Sequence, residues 1–332
     1  MKSAITLGLL LASLLAVPAM PASSSGVPRV TLFGKDYVRL DEWARARGGQ
    51  VRWTVPKEDL TVTMPDGSLS FTVDSRKAMV KGTCVWLAVP IAFKNGVAYL
   101  GWADVVGTLN PILYPSKNPA GRLVKNIVLD PGHGGRDPGN MEARRQEKQF
   151  TLTFARELSD LLTKAGFKVS LTRTRDSFVD LPDRPDLARR RGADLFISLH
   201  FNSADGAGAS AVKGSEVYCM TSARTSSTNS RGEGAGTGAF PGNRFDPKNV
   251  LLAYQIQKAI TEKAGSEDRG VKRARYAVLR TAEMPAVLIE AAFMTHPADS
   301  KKIYDPLQRH QLGKAIVDGV LAYKKLVERQ VQ

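Results

Sequence analysis

The sequence predicts an α/β domain with a mostly parallel sheet flanked by helices, preceded by a small α+β domain. Three observations lead there. Residues 29–113 read as short alternating strands broken by Gly-rich turns, whereas residues 124–327 alternate apolar strands with amphipathic helices. Strands separated by crossover helices favour a parallel sheet covered on its faces. An apolar content of 43% and a charged content of 24% over 332 residues suit two packed domains and exclude a disordered chain.

Taken in order, the chain begins with Lys2, an apolar run over 4–17, and small residues through Ala22. This is the layout of a secretory signal peptide spanning 1–22, cleaved after Ala19 or Ala22. The run is shorter than the roughly 20 residues that cross a bilayer, so no membrane span is expected. Export to the periplasm, cell envelope or exterior is. Residues 28–114 form the small α+β domain, with strands expected at 30–33, 50–53, 60–64, 69–73 and 85–89, and a helix over 41–47. Gly34, Tyr37, Val38 and Leu40 recur 62 residues later (34 to 96) as Gly96, Tyr99, Leu100 and Trp102, which points to two similar halves. Residues 115–123, with two prolines and a glycine, read as a linker.

The second domain, 124–332, opens with an apolar strand at 124–129. A helix over 147–165 carries Phe150, Phe154, Leu158, Leu161 and Leu162 on one face and stops at Gly166. Strands follow at 167–172, 194–199, 215–219 and 287–289, with helices at 183–191, 249–264 and 308–327. Residues 221–248, rich in Ser, Thr, Gly and Asn, suit either a long loop of the kind that edges an active site, with Glu233 as the acid that such a lid would carry, or a disordered insertion with no role. Cys84 and Cys219 fall in strand-like runs of different domains, so buried free thiols are expected rather than a disulfide. The net charge of +15 suits an acidic polymer, but it is spread along the chain without a nucleic-acid motif. With export, cell-wall material is the expected partner and nucleic acid is not.

Four side chains carry candidate chemistry. His133 and His200 each directly follow an apolar strand, as does Glu290, while Glu147 opens the long helix. Ligands gather at the carboxyl ends of parallel strands. A lone histidine in such a place is more often a cap or a packing residue. Two histidines and a glutamate are a common catalytic zinc set, and a second glutamate serves as the acid/base beside it. Spacing alone leaves open which glutamate is ligand and which is base. Asn202, beside His200, is expected to line the site. Arg173 and Arg184 suit either bidentate contact with substrate carboxylates or structural ion pairs. His296 and His310 are not expected to be ligands.

The blocks around these residues resemble a known family. Residues 129–139 read Leu-Asp-Pro-Gly-His-Gly-Gly-Arg-Asp-Pro-Gly, 171–176 Leu-Thr-Arg-Thr-Arg-Asp, and 193–203 Ala-Asp-Leu-Phe-Ile-Ser-Leu-His-Phe-Asn-Ser. With Glu147-Lys148, Arg269-Gly270-Val271-Lys272 and Pro285 to Glu290, they are similar to the signature blocks of the zinc-dependent N-acetylmuramoyl-L-alanine amidases (amidase type 3). The resemblance implies one zinc ion held by His133, Glu147 and His200, with Glu290 as the catalytic carboxylate. It implies peptidoglycan as substrate, cut at the amide joining N-acetylmuramic acid to L-alanine. A zinc peptidase cutting within the stem peptide and a non-catalytic wall-binding protein are the alternatives, and an activator protein stays open. One departure is Ala291-Ala292-Phe293-Met294-Thr295-His296, where the family carries Gly-Phe and then Ser-Asn. Residues 28–114 resemble the copper amine oxidase N-terminal-like domain. Copper binding does not follow, because residues 23–120 contain no histidine.

Overall fold

The computed structural model describes residues 26–229 and 238–329; the expected signal peptide and Glu233 lie outside the described residues. The first part opens with the hairpin β1 (Arg29–Leu32) and β2 (Lys35–Arg39) and the helix Leu40–Arg45. A meander follows: β3 (Gln50–Val55), β4 (Asp59–Met64), β5 (Gly67–Thr72), β6 (Lys77–Val80) and β7 (Thr83–Trp86). β8 (Ala92–Lys94) and β9 (Val97–Gly101) return to the hairpin, giving a four-stranded sheet in the order β1-β2-β9-β8. Period-two alternation builds these strands. In β4, Leu60, Val62 and Met64 are buried while Thr63 between them is exposed.

No helix or strand lies between Leu113 and Asn126. Then come β10 (Asn126–Pro131), a small hairpin of β11 (Met141–Glu142) and β12 (Arg145–Gln146), β13 (Lys168–Leu171), β14 (Leu195–Asn202), β15 (Ser215–Met220), β16 (Asp268–Ala274) and β17 (Ala286–Phe293). On one face of the sheet, helix Pro306–Val327 packs against both Glu147–Lys164 and Asp246–Ala264. The short helices Asp183–Arg190 and Ala277–Arg280 lie against the other, over Phe196, Tyr218 and Leu288.

The sheet has eleven strands in the order β13-β10-β14-β17-β15-β16-β7-β6-β5-β4-β3. The four strands β13, β10, β14 and β17 are parallel. β15 runs antiparallel to β17, and β16 and β7 follow it in parallel. The N-terminal meander therefore continues the larger sheet instead of forming a sheet of its own. Leu60, Phe71 and Val85 share one core cluster with Leu129, Ile197 and Val287. The sequence hides this join because β16 reads Asp-Arg-Gly-Val-Lys-Arg-Ala, with no apolar alternation. Lys272 and Arg273 are nonetheless buried, and Glu216 and the backbone carbonyl of Met220, both on β15, accept hydrogen bonds from them.

Two further expectations need correction. β14 runs on to Asn202 and β17 to Phe293, so His200 and Glu290 sit within strands rather than after them. Phe150 and Leu161 of the long helix are only partly buried, while Phe154, Leu158 and Leu162 form its buried face. Cys84 and Cys219 are both buried and free. Among the described residues, no helix is long and apolar enough to cross a membrane.

Candidate metal centre

The site is assembled from the end of β10, the start of the long helix and the middle of β14. After Pro131, Gly132 N–H donates to Leu199 O at 3.0 Å, and His133 takes a left-handed backbone conformation (φ +61°). Few non-glycine residues adopt that region, so the surroundings have to hold it. Two buried arginines do. Arg184 donates to Pro131 O (3.1 Å) and His133 O (3.0 Å) and is ion-paired with buried Asp130 at 3.0 Å. Arg173 donates to Pro131 O (2.9 Å), Gly132 O (2.8 Å) and Lys148 O (2.9 Å).

Of the two alternatives open for Arg173, these bonds favour the structural one over contact with substrate. The residue is 3% exposed and its donors are spent on backbone carbonyls and the Thr151 hydroxyl, so it shapes the loop that carries His133. Arg184 takes the structural alternative as well.

The loop turns His133 toward the helix. Its Nδ1 meets Asp137 Oδ2 at 2.8 Å and its Nε2 meets Glu147 Oε2 at 3.1 Å. His200 reaches the other oxygen, with Nδ1 at 3.0 Å from Glu147 Oε1. The two rings lie edge to face with centroids 4.8 Å apart. Glu147 is wholly buried, and its oxygens also accept Phe201 N–H (3.0 Å) and Asn140 N–H (2.9 Å). Burial works against its charge, but the hydrogen bonds and charges of His133 and His200 overcome it and hold the carboxyl well below its usual range. For His133 burial alone would lower the pKa; Glu147 and Asp137 together raise it.

Ligand atoms of His133, Glu147 and His200 all lie within 4.8 Å of one another, and together could hold a metal ion. The donor chemistry fits. Two imidazole nitrogens and one carboxylate oxygen are what a borderline divalent ion takes in a three-ligand site. Asp137 on the far nitrogen of His133 is the outer carboxylate that commonly fixes a ligand imidazole. Gly132 makes room for it all: a Cβ there would lie 2.3 Å from His200 Cε1 and 2.5 Å from Nε2. Gly132→Ala is expected to push the imidazole aside and weaken metal affinity by roughly 10–100-fold, read by chelator competition.

Glu290 lies next to this cluster. In the sheet it is the register partner of His200 on one side and of Glu216 on the other. Its Oε2 is buried and has no hydrogen-bond partner among the described residues. Burial, then the charges of Glu147 and Glu216, push its pKa well above the ordinary value, with Lys272 opposing. Glu216 was not singled out from the sequence, and Lys272 entered only as part of the Arg269–Lys272 block, with no role of its own. Glu216 accepts from Lys272 Nζ, from Arg269 Nε (2.9 Å), from Tyr218 O–H (2.8 Å) and from Asn202 Nδ2 (3.1 Å). The available signal was a glutamate inside the strand Ser-Glu-Val-Tyr-Cys-Met, where an unpaired charge would be costly. Asn202 therefore sits beside the cluster with its amide turned to Glu216. His296 caps the helix Pro297–Tyr304 by accepting Ala298 N–H and Asp299 N–H, and His310 is exposed.

Residues 127–322 match the N-acetylmuramoyl-L-alanine amidase family. The chain belongs to that family. Residues 23–110 match the copper amine oxidase N-terminal domain. LytH of Staphylococcus epidermidis, a probable cell wall amidase, is 36% identical over 202 residues, covering 60% of this chain and 58% of its own length. AmiA of Escherichia coli, an N-acetylmuramoyl-L-alanine amidase, is 30% identical over 231 residues, covering 63% of this chain and 78% of its own. The amidase match extends to structure. The catalytic domain of CwlV, an N-acetylmuramoyl-L-alanine amidase from Bacillus (Paenibacillus) polymyxa var. colistinus, aligns with a TM-score of 0.50 at 27% identity, covering 61% of this chain and 99% of that one. The chain thus spans under two thirds of the length of LytH.

Proposed function

We propose that this chain is a zinc-dependent amidase that hydrolyses the bond between the lactyl group of N-acetylmuramic acid and L-alanine in peptidoglycan. The reading rests on family membership and on one feature above all: a buried carboxylate oxygen of Glu290 with no protein partner, next to a two-histidine, one-glutamate donor set. His133, Glu147 and His200 would hold the zinc ion. When bound, such an ion supplies Lewis acidity toward the scissile carbonyl and toward water.

The chain's own groups do the rest. Glu290 accepts a proton from the attacking water and returns it to the departing amine of L-alanine, so the carboxylate ends as it began. Its surroundings favour that cycle, because burial and two neighbouring carboxylates make the protonated form easy to reach. Asp137 and the Arg173–Arg184 pair hold His133 in place. A non-catalytic wall-binding protein would have no use for the free oxygen of Glu290.

Export to the cell envelope fits the sequence of residues 1–22 and the substrate. Mass spectrometry of purified sacculi digested by the protein tests the bond. Free stem peptides beginning with L-alanine support the amidase; shortened stems still attached to sugar would assign the protein to peptidases instead.

A further inference from the structure

The N-terminal part of the chain reaches the candidate active site through one strand. β7 pairs in parallel with β16 in the register Val85 to Val271, which sets Trp86 beside Lys272 and Cys84 beside Gly270. The contact is close. A Cβ on Gly270 would lie 2.7 Å from Cys84 Sγ, so only glycine lets the strands approach this far. Cys84 N–H donates to Asp268 Oδ2 at 2.7 Å and Trp86 Nε1–H to Arg269 O at 3.0 Å. Trp86 is therefore anchored to the strand that carries Arg269 and Lys272.

What it does there follows from charge. Glu216 and Glu290 are cross-strand partners on one face of the sheet, and like charges placed directly opposite repel. Lys272 supplies the compensating charge: its ammonium donates to Glu216, with side-chain exposures of 6% and 3% for the two groups. That ammonium lies 5.8 Å from the ring centroid of Tyr218 and 5.9 Å from that of Trp86. Both distances are within the reach of cation–π attraction, which is stronger for a desolvated ammonium. One aromatic face comes from β15, the other from the N-terminal part of the chain.

We infer that Trp86 is a positioning residue for the hydrolytic site, holding Lys272 against Glu216 so that Glu216 stays neutralised beside Glu290. As a statement about catalysis it rests on the amidase reading above. The N-terminal part is then a working component of the active site as well as a neighbour of it.

The full chain with Trp86→Leu or Trp86→Phe tests this. Both lose the indole N–H, and only Phe keeps an aromatic face. On sacculi, Trp86→Leu should lower kcat by about tenfold with KM within about twofold, and Trp86→Phe should stay close to wild type. In parallel, acetic anhydride labelling of the native protein, read residue by residue by mass spectrometry, should find Lys272 shielded in wild type and Trp86→Phe and acylated several times faster in Trp86→Leu. A Leu variant with wild-type kcat, equal kcat losses in both variants, or unchanged Lys272 labelling would overturn the inference. Should the wild-type chain release no stem peptide, the amidase reading falls by itself, and labelling alone decides whether Trp86 holds Lys272.

Discussion

Replacing Glu290 by Gln is expected to lower kcat by about 10²- to 10⁴-fold while the metal content of the protein stays the same. The substitution keeps shape and removes only the ability to take a proton. Among the described residues Oε2 of Glu290 has no partner, and Glu290 is not one of the clustered donor groups. Stability should hold or rise, because a buried carboxylate flanked by Glu147 and Glu216 costs free energy that an amide does not. Turnover on sacculi, elemental analysis for zinc and a thermal melt together read all three effects. Near-wild-type turnover would remove Glu290 from the proton transfer.

Glu147→Gln should behave in the opposite way, losing metal, activity and stability together. Each oxygen of this carboxylate accepts a backbone N–H, from Phe201 and from Asn140, as well as facing an imidazole. An amide keeps one acceptor oxygen and turns an NH2 group toward the second backbone donor. A buried donor without an acceptor costs about 1–3 kcal/mol, so urea denaturation of the chelated variant should show that loss with no metal involved. The zinc-loaded fraction should fall below about a tenth, since carboxylate charge is part of the ligand set. A variant that binds a full equivalent of zinc would show that Glu147 is an ordinary structural carboxylate.

These two residues differ in how they could be read in advance. Apolar runs at 124–129, 194–199 and 287–289 point to strands, and a 3.6-residue apolar stripe points to the helix that Glu147 opens; the strands observed are 126–131, 195–202 and 286–293. The same elements place His133, Glu147, His200 and Glu290 near one another, although β14 and β17 run on past His200 and Glu290. Family resemblance, not spacing, distinguished the two glutamates. Their surroundings do differ, but only in three dimensions: one carboxylate has four contacts and the other has a free oxygen.

The rest was hidden for a physical reason. β16 is charged, and a charged strand looks like a loop until its partners are known; Glu216 of β15 and the backbone of Met220 supply them here. The continuity of the sheet from β16 into β7 follows from that same strand, so the role of Trp86 could not be read from residues 28–114 alone. The role of Arg173 stayed open in the sequence for a related reason. An arginine beside a histidine loop suits a substrate carboxylate as well as it suits backbone carbonyls, and burial decides between them.

The central claim, that one zinc ion and Glu290 together cleave the muramoyl–alanine amide, is tested most directly by metal titration. Protein stripped by a chelator is mixed with sacculi and increasing zinc, and release of stem peptides beginning with L-alanine is followed by mass spectrometry. Activity that is absent without metal, rises in proportion to zinc and levels off at about one equivalent per chain is the predicted result. Release that is unaffected by chelation, or zinc-dependent products whose sugars still carry L-alanine, would contradict it.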